Sequence, residues 1–239
     1  MTSGKEIFLH YSQWIMHAAL ETTKAYSDGF SFRLIPIFDN IEVEAEKVIQ
    51  EHWDNSMTST AYEGDYYDHG DLAEAAQDAG NQMYQNLSFV RQQLIGLSIA
   101  GLYHLWERTL KQFIEKEFRH YSFDDKIFKD LRKANFEEIV ELLQQFDHDL
   151  TKEPYYNKLD ELRLIANTIK HGEGKSCDDL IKVAPHLFDG FLKTFEISPT
   201  AQDLALSPED FRVYTDAVTQ FWMLLPTKMV LIARSNNAT

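Results

Sequence analysis

The sequence predicts an all-α protein. Apolar residues recur at three- and four-residue spacing over most of the chain, the signature of helices with one buried face. Only 10 Gly and 6 Pro occur in 239 residues, too few for the many tight turns of a sandwich or barrel. Residues that start and stop helices stand at the ends of several periodic segments. With 44% hydrophobic and 13% aromatic residues, the chain can fill a sizeable core.

A first helix is expected over residues 5–26, with Ile7, Phe8, Tyr11, Trp14, Ile15, Ala18 and Ala19 at helical spacing and Ser27-Asp28-Gly29 as its stop. Residues 30–37 alternate weakly around Pro36 and read as an extended connector. A second helix, 39–53, turns Ile41, Val48 and Ile49 inward and Glu42, Glu44 and Glu46 outward. The polar, acidic, Tyr-rich stretch 54–71 has no period and reads as a loop. Such a loop is either an acidic arm that covers a basic site or a surface connection.

From 72 to 120 the helical pattern is almost unbroken, with an apolar stripe that includes Leu94, Ile99, Leu102, Trp106, Leu110 and Phe113. Gly96 and Gly101 lie inside it and permit close helix approach. Short helices follow at 123–133 and 136–146, the latter with Asn135 as N-cap. Pro154 opens a helix that reaches His171, where Gly172 is the expected stop. A short helix is read at 178–187, and 188–205 fits no single pattern. Ser207-Pro208-Glu209-Asp210 then starts a last helix carrying Phe211, Tyr214, Val218, Phe221 and Trp222. The organisation expected is a peripheral N-terminal region of helices and acidic loop (1–71) packed on a helical bundle (72–239).

The formal net charge of −15 argues against indiscriminate binding of nucleic acid, because the overall field repels phosphate. The single cysteine, Cys177, rules out an internal disulfide and a cysteine-rich zinc site. The acidic run of Glu63, Asp65, Asp68, His69 and Asp71 lacks calcium-loop spacing. No phosphate-binding or dinucleotide glycine motif is present, so neither metal nor cofactor is expected. No uncharged stretch reaches the ~18 residues of a membrane span, and Met1-Thr2-Ser3-Gly4-Lys5 has no secretory character. A soluble, cytoplasmic protein without membrane contact is expected.

One stretch carries chemistry. On the helix ending at His171, Leu159, Leu162, Ile165, Ala166 and Ile169 form the buried face, while Arg163, Asn167, Lys170 and His171 share one stripe. Histidine exchanges protons near neutral pH, and arginine offers phosphate a planar fork of donors. Together these suit metal-free RNA cleavage, in which the ribose 2′-hydroxyl attacks the adjacent phosphate and cations stabilise the added charge. A Lys-His pair at a helix C-terminus also simply complements the helix dipole.

The string Leu162-Arg-Leu-Ile-Ala-Asn-Thr-Ile-Lys-His-Gly172 resembles the motif helix of HEPN-superfamily proteins, with their Arg-Asn-x-x-x-His core before a glycine. The segment from Leu97 to Lys111 is similar to the long HEPN helix that packs against it, and Glu107 matches its acidic residue facing the motif. The likeness spans roughly residues 87–172. It implies a HEPN-like bundle, a homodimer, and a metal-independent endoribonuclease of a defence or toxin-like system with RNA as substrate and an antitoxin or other protein as partner. His171, Arg163 and Asn167 would be catalytic, supported by Lys170, Glu107 and His104. Here Ala166 stands where the active members carry arginine, and Arg163 is the nearest arginine. The alternative implied is a catalytically degenerate HEPN module that dimerises and binds a partner protein or nucleotide. For His104 the residues favour a core hydrogen bond to Glu107 over a catalytic pair.

Overall fold

The computed structural model describes residues 6–63, 69–188 and 198–232, the side chains of 59–63 excepted. The protein is all-α, with one short antiparallel ribbon. It divides into two compact units: residues 1–28 with 96–239, and residues 29–95.

The first unit begins with strand β1 (Phe8–His10), which pairs antiparallel with β2 (Lys228–Val230), Leu9 opposite Met229. The expected helix over 5–26 therefore starts later, as α1 (Gln13–Gly29). Burial decides this: Leu9 and Tyr11 are sealed in the core, and the backbone around them is paired out of a helix. Tyr11 N–H donates to Thr227 O at 2.9 Å and its hydroxyl to Trp222 O at 2.9 Å. The α-helix ends at the predicted Gly29, where a π turn takes over. Gly29 keeps a right-handed helical conformation, because nothing at this position demands positive φ.

The long helix α3 (His69–Phe118) matches the expected 72–120 segment. Its part in the first unit buries Ile99, Leu102, Trp106, Leu110 and Ile114. Helices α4 (Asp125–Lys133) and α5 (Phe136–Gln145) follow. Asn135 caps α5 as predicted, in a reciprocal box in which its side chain accepts from Glu138 N–H and Glu138 accepts from Asn135 N–H. Next come α6 (Tyr156–His171), α7 (Lys175–Val183) and α8 (Pro208–Leu224). Ser207 and Asp210 cap α8 in the same reciprocal way. Helix α7 starts earlier than the predicted 178–187 and gives way to a 3₁₀ turn, Pro185–Leu187. The patternless stretch after it contributes one antiparallel bridge, Phe188 to Leu204; residues 189–197 lie outside the described part.

An aromatic cluster centres this unit. Phe221 meets Trp106 edge-on at 5.3 Å, Tyr155 at 5.8 Å and Trp222 at 4.8 Å, so α3, α6 and α8 converge on one ring. Such T-shaped pairs add about 0.5–1.5 kcal/mol beyond their burial.

The second unit is a helical hairpin. Residues 30–37, predicted as an extended connector, lie in a π turn (Phe30–Leu34) and a 3₁₀ turn (Ile35–Phe38). Helix α2 (Ile41–Glu63) runs past the predicted end at 53 and through much of the expected loop, and α3 begins at His69. Trp53 lies 6.4 Å from His69, and a Cβ on Gly80 would overlap Ile49 and come within 3.1 Å of Ala45 O. Gly80 is thus the contact that lets α2 and the start of α3 pack antiparallel.

Candidate functional site

Helix α6 holds the predicted stripe. Its inner face is set by Leu159, Leu162, Ile165 and Ala166, each fully buried, and Gly172 ends it with φ +72° while donating to Thr168 O at 2.8 Å. Glu161, only 9% exposed, accepts from Lys158 Nζ at 2.6 Å and from the Tyr214 hydroxyl at 3.2 Å. This fastens α6 to α8, and burial beside that carboxylate pushes the Tyr214 hydroxyl well above its usual pKa.

The four stripe residues divide into two settings. Arg163 is committed: Nε and Nη2 donate to Asp160 Oδ1 at 2.8 and 2.7 Å, and Nη1 lies 3.2 Å from Glu137 Oε1. Its guanidinium also stacks over the Phe136 ring at 5.4 Å, and the side chain is 17% exposed. Two carboxylates thus surround one cation, leaving a local excess of negative charge. Asn167 is half-buried, while Lys170 and His171 are exposed at the end of the helix. Among the described residues neither Lys170 nor His171 forms an ion pair. Arg163 and His171 lie about 12 Å apart along the helix axis, so one chain does not bring them together.

Helix α3 crosses α6 antiparallel. A Cβ on Gly96 would lie 3.3 Å from Ile169 Cδ1, and Tyr103 sits in the field of both Arg163 and Asp160. Glu107 is about 16 Å beyond Gly96 along α3, level with the start of α6 rather than with His171. Its carboxylate accepts from Lys111 at 3.0 Å. His104 is half exposed, not in the core, and its Nδ1 is 3.7 Å from Glu107 Oε2, too long for the hydrogen bond expected of that pair.

Ala166, where the resemblance led one to expect an arginine, has no exposed surface. Cys177 is buried, and burial followed by the nearby Glu173 and Asp178 carboxylates pushes its thiol up, away from nucleophilic reactivity. The acidic run from Glu63 to Asp71 falls mostly outside the described residues. Among those described, no cluster of His, Cys, Asp and Glu is placed to hold a metal ion, and no helix is long and apolar enough to cross a membrane.

Sequence reasoning missed the partners that fix the stripe. Asp160 stands three residues before Arg163, a visible helical ion-pair spacing. Glu137 and Tyr214 come from other helices, and no local pattern names them. No family model, curated protein or solved structure matches this chain.

Proposed function

We propose that this protein is a HEPN-like helical module that works by dimerisation and association with a partner protein, its RNA-cleaving chemistry having been lost. The observation that carries this reading is Arg163. The only arginine on the motif stripe is spent on Asp160, Glu137 and Phe136, and a phosphate approaching it would meet two carboxylates. Ala166 supplies no replacement. The net charge of −15 also disfavours RNA as a ligand.

The test is incubation of the purified chain with single-stranded RNA in EDTA over a wide protein range. No cleavage is expected from wild type or His171→Ala. Cyclic-phosphate ends produced by wild type and absent with His171→Ala would overturn the reading.

A second reading, a metal-independent endoribonuclease with His171 as general acid and base, draws support from one observation. Lys170 and His171 stand exposed side by side at the open end of α6. It requires an arginine from a second chain to complete the pocket, and the defence setting and antitoxin partner of the resemblance belong to it.

A further inference from the structure

The first unit has an unfilled trough between α1 and α3. These helices run antiparallel: Lys116 Nζ lies 5.2 Å over the Trp14 ring, while Tyr26 at the other end donates to Ser98 O at 2.9 Å. Between them is an open groove of about 440 Å³. Its floor and walls include Ala18, Leu105 and Phe113, and Trp14 stands at its rim 71% exposed. Among the described residues, the only charged side chains lining it are Arg108 and Lys116.

Both are cations in an acidic chain. Most cations of the first unit are matched by carboxylates, as Arg119 and Arg132 are by Glu115, Lys111 by Glu107 and Lys158 by Glu161. Among the described residues Arg108 and Lys116 form no ion pair. Two uncompensated cations along an apolar groove, within a protein of net charge −15, are complementary to an anionic, apolar ligand.

We infer that this trough docks an acidic amphipathic helix of a partner protein. Two antiparallel helices leave between them a channel shaped for a third, packed at ~8–10 Å, and the small side chain of Ala18 lets its backbone come close. Arg108 and Lys116 are about 12 Å apart along α3. A docked helix meets both when carboxylates seven or eight residues apart flank apolar anchors that enter between Ala18 and Leu105. The inference rests on the association reading for its choice of a protein ligand and adds the surface and the chemistry recognised.

The experiment uses the full chain and a fluorescent helical peptide of about four turns, with leucine anchors and glutamates at that spacing, and a twin with lysine for glutamate. Anisotropy should show saturable binding of the acidic peptide only. Binding should weaken about tenfold in Arg108→Glu/Lys116→Glu and in Ala18→Trp, and should fall with added salt. Matching melting curves for Ala18→Trp and wild type exclude misfolding as the cause. Equal or tighter binding of the lysine peptide overturns the inference, as does no saturation below ~1 mM, or acidic binding untouched by Ala18→Trp. A wild-type dimer that Ala18→Trp converts to monomer in sedimentation also overturns it, because a second copy then covers the trough. Peptide failure without RNA cleavage sinks this inference alone, whereas RNA cleavage sinks the association reading whatever the peptide does.

Discussion

The two ends of helix α6 carry the same kind of residue in opposite circumstances. At one end Glu161 and Arg163 are locked by Lys158, Tyr214, Asp160, Glu137 and Phe136. At the other, Lys170 and His171 face solvent with no ion pair among the described residues. A helix stripe read at 100° per residue treats Arg163, Lys170 and His171 as equivalent. The neighbouring helices do not, because α5 and α8 supply carboxylate, ring and hydroxyl only to the first half. A cation is available to a ligand only where tertiary neighbours leave it unpaid.

The largest effect should come from placing at position 166 the arginine that the resemblance to a HEPN motif would call for. Ala166→Arg would force a guanidinium into a site with no exposed surface, costing more than ~4 kcal/mol. Circular dichroism should find the variant unfolded or aggregated; a folded variant that cleaves RNA would erase the distinction between the two ends. Arg163→Ala comes next, at about 2 kcal/mol, because it strands Asp160 and bares Phe136. That should lower the melting temperature by about 4–8 °C. Glu137→Gln, 60% exposed, should cost only ~0.5 kcal/mol.

A third test sets His148 against His171. His148 is 5% exposed, its Nε2 has no hydrogen-bond partner, and burial holds its pKa below 6.5 despite opposing fields from Glu153 and Asp149. The folded state therefore binds its proton less readily than the unfolded chain does. The resulting stability is complete above pH 6.5 and is lost as pH falls through the folded pKa, at no more than about 1.4 kcal/mol per pH unit. His148→Leu should flatten that part of a stability–pH profile. The smallest effect belongs to the open end: His171→Ala and Lys170→Ala should each shift stability by less than ~0.5 kcal/mol. A larger loss would mean that this end is also structurally engaged.

What the sequence revealed follows the range of the forces involved. The starts of α5 and α8 were legible because Asn135–Glu138 and Ser207–Asp210 satisfy backbone groups within one turn, and Gly172 ends α6 by its own φ. The β1 strand was illegible, since Phe8–His10 is extended only because Lys228–Val230 lies beside it. The polar run after Trp53 was read as a loop on composition, yet α2 continues to Glu63. Arg163 was read correctly as lying on a stripe with Asn167 and His171, but its neutralisation by Glu137 depends on how α5 packs against α6.

The β1–β2 ribbon also sets a timetable. The helical hairpin of residues 29–95 needs only its own contiguous sequence and can assemble while synthesis proceeds. Leu9 and Tyr11 must wait for Trp222, Thr227 and Met229 to leave the ribosome, a delay of about 10–40 s at ordinary elongation rates. For that interval Leu9 and Tyr11 lack the partners that bury them. Leu9 thus keeps an unpaired, uncovered backbone until Lys228–Val230 has been made.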